Sequence, residues 1–292
     1  MVIDKRPQSW LYIRQCDPRR TTSSNPPKRN DTNLNGLKCA WFDQLYRRHK
    51  ILRFEAGKKD LEFQRHQGKE TMERMAAGSA ALIEGPMFAH RFLAPADPSG
   101  DCLFLLHGSG VDETTLMPLG QRIDQRASLV AARGRIPQEG GGMRWFTRIT
   151  PTRFEQNSIR HEADAFARFV KDAAVLHRID LSRTTFLGYS NGANLISSVM
   201  LLHPGLIQRA VLLRPMPVLD GVPSTDLSGT RVLIIAGARD ETYGPYAPAL
   251  LTLLDSHGAE VDARIVAAGH EFGDADVAIT KRWLRDGGPA QA

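Results

Sequence analysis

TTFLGYSNGANLISSVMLL, residues 184–202, decides the fold. Its first six residues are a short apolar run of strand character. Asn191 to Leu202 reads as a helix, stopped by Pro204 and Gly205. Between the two lies Gly188-Tyr189-Ser190-Asn191-Gly192, the pattern G-x-S-x-G. Alone the pattern recurs by chance. Between a strand and a helix it specifies a sharp turn that forces Ser190 into strained backbone angles, and Gly188 and Gly192 offer no Cβ to clash with the chain crowding past. A glycine-rich turn with an idle serine is the competing reading.

Outward from this turn, strand and helix signals alternate. Residues 102–106 (CLFLL), 209–213 (RAVLL) and 231–236 (RVLIIA) are apolar throughout, as strands covered on both faces are. Further strands are read at 87–93, 128–132 and 261–267. Helices are read at 113–125 behind Asp112 as cap, and at 158–177, 246–257 and 274–285. A long irregular stretch runs from Arg133 to Asn157, a length that usually signals function or disorder. The alternation predicts an α/β fold: a mostly parallel central sheet with helices on both faces. In such sheets the chemistry collects at the carboxyl ends of the strands.

A serine hydroxyl attacks only if an imidazole takes its proton and a carboxylate holds that imidazole in the right tautomer. Three histidines follow Ser190. His203 and His257 close helices, where a positive side chain favours the helix dipole. His270 follows the strand 261–267 through Ala268 and Gly269 and is the chosen base. Asp240 follows the strand 231–236 through Gly237, Ala238 and Arg239, and is chosen as the acid over its neighbour Glu241, whose side chain is longer. A tetrahedral oxyanion also needs preorganised donors. His107-Gly108-Ser109-Gly110, just after the strand 102–106, offers the Ser109 N–H, and Asn191 offers the second. His107, upstream of Ser190, is read as a brace for this loop rather than as a base. Met117, Trp145, Phe146 and Met216 are candidates for a substrate pocket, with simple packing over the sheet edge as the equal alternative.

The chain has 292 residues, 42% of them apolar and 24% charged, which suits a globular protein. Its formal charge of +6 is uneven. Residues 1–75 carry 17 Lys+Arg against 9 Asp+Glu, whereas residues 76–292 carry 21 against 23. The slightly acidic body argues against nucleic-acid binding. Residues 1–75 are therefore read as a basic, largely disordered extension, and 76–292 as the catalytic domain. Within the extension Trp41, Leu45 and Leu52 recur at helical spacing amid Arg47, Arg48, Lys50 and Arg53, so 41–54 reads as a basic amphipathic helix. Its options are a membrane-surface or partner contact, a cap on the body, no role at all, or a start site that really lies at Met72 or Met75. The inert options are preferred. Three cysteines without CxxC spacing argue against a disulfide framework and a zinc site. The absence of a long apolar run or leader pattern makes the cytoplasm the default location.

LLHGSGVDE (105–113), RGR (133–135), MRWF (143–146), LGYSNGAN (187–194), LLRPM (212–216), AGARD (236–240) and AGHEF (268–272) together resemble the α/β-hydrolase superfamily, and within it the bacterial phospholipase/carboxylesterase family. The likeness runs from about Met87 to Leu284. It implies Ser190 as nucleophile, Asp240 as acid, His270 as base, and Ser109 and Asn191 as oxyanion donors. It also implies small-molecule esters or thioesters as substrates, and no cofactor or metal. Dienelactone hydrolases are similar in outline but carry Cys at the nucleophile position, so Ser190 argues against that activity. A serine carboxylesterase acting on small esters is the leading expectation. A thioesterase or lysophospholipase for longer acyl chains is the alternative, and a silent binding protein of the same fold is the remote one. The oligomeric state is not legible.

Overall fold

The computed structural model describes residues 52–54 and 80–287. One sheet holds nine strands: β1 (Leu52–Phe54), β2 (Leu82–Ile83), β3 (His90–Leu93), β4 (Cys102–Leu106), β5 (Ser128–Ala132), β6 (Thr184–Tyr189), β7 (Arg209–Leu213), β8 (Arg231–Gly237) and β9 (Glu260–Val266). Their order across the sheet is β1-β9-β8-β7-β6-β4-β5-β3-β2. Every pairing from β1 to β5 across this order is parallel; β3 runs antiparallel to both β5 and β2. Helices α1 (Met117–Ile123), α2 (Gln156–His177), α3 (Asn191–Leu202) and α4 (Ala247–Ser256) lie on connections between parallel strands, and α5 (Asp274–Asp286) follows β9.

Successive strand side chains point to opposite faces, and this period builds two cores from one sheet. On β4, Cys102, Phe104 and Leu106 join Val232 and Ile234 of β8 in packing against Phe166 of α2, Ile196 of α3 and Leu250 of α4. Leu103 and Leu105 join Leu233 and Ile235 on the other face, against Leu119 and Ile123 of α1 and Val277 and Trp283 of α5. Each fully buried side chain of this size contributes roughly 2 kcal/mol. The free Cys102 thiol sits in the first of these cores, and burial pushes it up to about 12.

The α/β expectation holds, and its departures have local causes. The strand expected at 87–93 is shorter, and β2 joins it as an unforeseen antiparallel neighbour. The helix expected at 113–125 begins only at Met117, because Asp112 Oδ1 instead takes the Thr114 N–H at 2.9 Å and closes a turn. α2 begins two residues before its expected start, its first amides capped by the Glu155 carboxylate. The irregular stretch after Arg133 contains two short antiparallel ladders, Ile136–Pro137 with Met143–Arg144 and Arg148–Thr150 with Arg153–Phe154. Of the amphipathic helix read at 41–54, only 52–54 is described. It is strand β1, whose backbone pairs with Arg264, Ile265 and Val266 on the open edge of β9. The rest of that helix, and the disorder read for the extension, fall outside the described residues. Among the described residues no helix is long and apolar enough to cross a membrane.

Candidate active site

β6 stops at Tyr189 and α3 starts at Asn191, which leaves Ser190 alone at the corner with φ 52° and ψ −112°. Its N–H donates to Leu213 O at 2.8 Å, and its carbonyl accepts the Asn194 N–H at 3.0 Å, so the corner is held from both sides. The flanking glycines are needed for clearance: a Cβ on Gly188 would stand 2.6 Å from Ala193 N, and one on Gly192 would stand 2.1 Å from Leu106 O. A non-glycine residue in such a conformation costs on the order of 1–3 kcal/mol.

Two other strand ends bring the partners. Asp240 follows β8, with its side chain 1% exposed. Its Oδ1 accepts the Thr242 and Tyr243 N–H groups at 3.1 and 3.0 Å. Its Oδ2 lies 2.7 Å from His270 Nδ1, which donates to it. His270 follows β9, and its Nε2 lies 2.9 Å from Ser190 Oγ. The imidazole is 36% exposed, so water and solute reach the site from its side. The rings of Tyr189 and Tyr243 stand 5.4 and 5.0 Å from the imidazole, centroid to centroid. Burial pushes the Tyr189 hydroxyl up to about 12. A carboxylate that fixes an imidazole, which in turn faces a hydroxyl, can draw a proton off that hydroxyl.

The Ser109 and Asn191 N–H groups follow the ends of β4 and β6, and among the described residues neither is taken by another group. His107 and Gly108 form the loop beside them. The Gly134 N–H donates to His107 Nε2 at 2.9 Å, so Nδ1 carries the ring proton and donates to Gly108 O at 2.6 Å. Burial holds this imidazole below its ordinary pKa. With both nitrogens occupied, His107 braces the loop.

The loop's far end is anchored by Glu113. Its buried carboxylate accepts Arg91 Nε at 2.8 Å, and Arg133 Nε and Nη2 at 2.6 and 2.9 Å. Burial alone would raise this group, but the two guanidiniums overcome it and bring it down to about 2. A carboxyl depressed on folding adds stability that is complete above its unfolded value, near 4.5, and fades as the pH drops toward 2. Urea titrations should therefore find Glu113→Gln about 3 kcal/mol less stable than wild type at pH 7, with most of that gap gone at pH 2.5. A gap that is the same at both pH values would contradict the ion-pair origin.

Arg214 is a site residue that sequence reasoning missed, although it stands inside LLRPM. It is 1% exposed. Its Nη1 and Nη2 meet the Asp276 carboxylate at 2.8 and 3.1 Å, while Nε donates to Gly269 O at 3.0 Å and Nη2 to Glu271 O at 2.7 Å. Those two carbonyls bracket His270. A lone Arg between Leu213 and Pro215 carries no local signal of this, since the carbonyls around His270 and the Asp276 carboxylate lie 55 to 62 positions away.

The four pocket candidates are packing residues. Trp145 and Phe146 have no exposed surface, and Met216 is 3% exposed; all three belong to the α2–α3 core. Met117 lies in the core on the opposite face. Trp145 Nε1 donates to His107 O and its N–H to Asn191 Oδ1, both at 2.8 Å, so the indole pins the loop to the corner from beneath. His203 and His257 stand at helix ends as expected, bonded to Asp164 Oδ1 and Leu253 O. A depression lined by Ile149, Thr152, Phe154, Gln156, Val218 and Asp220 opens beside the 148–154 ladder, apart from Ser190 and His270. Among the described residues no group of three His, Cys, Asp or Glu side chains is arranged to hold a metal.

No family model matches the chain. It is 29% identical over 189 residues to the Bacillus subtilis (strain 168) protein named "Putative hydrolase MhqD", a match covering 64% of this chain and 94% of that protein. Among solved structures it is 63% identical to a carboxylesterase from Mesorhizobium loti, with a TM-score of 0.70, covering 71% of this chain and 99% of that one. A Bacillus cereus carboxylesterase is 30% identical with a TM-score of 0.66, covering 69% and 95%. With that degree of identity over nearly the whole of a carboxylesterase, and with the sheet and corner described above, the chain belongs to the phospholipase/carboxylesterase family of the α/β-hydrolase superfamily.

Proposed function

We propose that this chain hydrolyses small carboxylic esters through an acyl-enzyme intermediate, with Ser190 as nucleophile, His270 as base and then acid, and Asp240 as the carboxylate that orients it. Its family makes it a carboxylic ester hydrolase; the roles of these residues rest on one observation. Ser190 Oγ, His270 and Asp240 Oδ2 form an unbroken relay at 2.9 and 2.7 Å, with the serine held at positive φ.

The chemistry follows from that relay. Ser190 Oγ attacks the acyl carbon while its proton passes to His270 Nε2, and the imidazolium so formed is stabilised by Asp240. The negative oxygen of the tetrahedral intermediate takes the Ser109 and Asn191 N–H groups, each worth about 3 kcal/mol in the barrier. His270 returns the proton to the leaving alkoxide. Water then attacks the acyl-enzyme by the same two proton transfers, and carboxylic acid leaves.

The burial of Trp145, Phe146 and Met216 supports short acyl groups, because these apolar side chains are already consumed in packing. kcat/KM for aryl esters is expected to peak at about two to four acyl carbons and to fall at least about tenfold by twelve. A profile that rises to long chains would favour the thioesterase or lysophospholipase alternative. A fluorophosphonate probe should leave its adduct on the peptide that contains Ser190. No adduct on folded protein would favour a silent binding protein.

A further inference from the structure

Four guanidiniums near the site are matched with carboxylates: Arg91 and Arg133 with Glu113, Arg135 with Glu162, Arg214 with Asp276. Arg144 and Arg148 depart from this pattern. Neither has an ion pair among the described residues, and the Nε of each is screened from water without a hydrogen-bond partner. Burial, reinforced by the charge of Arg148, holds the Arg144 guanidinium below its ordinary value. Two half-buried like charges within electrostatic reach of each other cost free energy that an anion between them would recover.

Their location says what that anion belongs to. Arg144 immediately precedes Trp145, which is bonded to His107 O and Asn191 Oδ1 at the corner. Arg148 lies 5.9 Å above the Phe154 ring and also flanks Tyr243. The Tyr243 ring meets the His270 imidazole edge-on at 5.0 Å, and its hydroxyl donates to Pro151 O at 3.5 Å, in the 148–154 ladder that carries Arg148. The ladder that carries Arg148 is therefore tied to the His270 side of the site through Tyr243, and Arg144 to the Ser190 corner through Trp145. Arginine suits this task, because its planar fork matches a carboxylate in two parallel hydrogen bonds.

We propose that Arg144 and Arg148 form an anion subsite that selects esters bearing a carboxylate. The inference rests on the esterase reading above and names its substrate class. The carboxylate enters on either side of the scissile bond: on the acyl part, as in a half-ester of a short dicarboxylic acid, or on the alcohol part, as in an acylated hydroxy acid.

Two substrate pairs separate these sources. 4-Nitrophenyl hemisuccinate against 4-nitrophenyl butyrate places the charge on the acyl side, and 4-acetoxybenzoate against phenyl acetate places it on the alcohol side. In wild type at least one charged-to-neutral ratio of kcat/KM should exceed about 10. In the Arg144→Gln/Arg148→Gln double variant that ratio should collapse to about 1 or below. Arg144→Lys/Arg148→Lys, which keeps the charge but loses the fork, should fall between and serves if the glutamine variant does not fold. Ratios at or below 1 for both pairs in wild type, or ratios unchanged in the variants, would overturn the proposal. Calorimetric titration of succinate into Ser190→Ala, with and without the arginine changes, reads the subsite without turnover. Heat that persists after the arginines are removed counts against the subsite. Absence of any ester hydrolysis in wild type counts against the esterase reading instead.

Discussion

Ser190→Ala is expected to lower kcat/KM toward phenyl acetate about 10⁴- to 10⁶-fold while leaving the fold intact. The loss is large because this hydroxyl is the one that His270 Nε2 meets, and without it the relay has no proton to move. The amides of Ser109 and Asn191 remain, so a residue of catalysis above that of water should survive. Steady-state rates on variant protein free of wild type, checked by fluorophosphonate titration, provide the measurement. Turnover unchanged by the substitution would sink the assignment of Ser190.

Arg214→Met should harm stability and turnover through separate routes. The arginine is buried, and its loss strands the Asp276 carboxylate, which among the described residues would keep only the Gly273 N–H at 2.8 Å. Breaking a buried pair on one side costs about 3–5 kcal/mol, which is roughly 10 °C in Tm for a domain of this size. The same guanidinium holds the carbonyls of Gly269 and Glu271, so the folded fraction should also lose kcat, by roughly 10- to 100-fold, as His270 drifts from Ser190. Arg214→Met combined with Asp276→Leu separates the two effects. It should recover much of the lost Tm but little of the lost kcat, since an apolar pair replaces the ion pair without gripping the loop. Recovery of both would mean that Arg214 acts on stability alone.

What the sequence made legible was short-range. The apolar run 184–189, the glycines of the corner and the helical pattern from Asn191 lie within nineteen contiguous residues, and β6 and α3 occupy those bounds. Asp240 and His270 were legible because each follows a strand by three or four residues, so topology carried them to one edge of the sheet. What stayed hidden depends on depth. Whether Trp145 faces outward or folds beneath its loop is decided by Phe88, Phe166 and His107, remote in the chain, and no period in 133–157 records it. Met117 and Met216 each follow a strand end in the sequence, yet the sheet itself separates the cores they enter. Arg214 and the pair Arg144 and Arg148 were passed over because an arginine in a loop reads as solvated until its partners, or the lack of them, can be seen.

The conformation of Ser190 has a thermal corollary. A glycine in its place would relax the corner, and even after the added freedom of the unfolded chain is subtracted, about 1 kcal/mol of stability should remain. The inert protein would then outlast the active one on heating. Endurance and reactivity pull this single residue in opposite directions, and a lineage screened for heat resistance alone would be drawn toward losing the hydroxyl on which its chemistry depends.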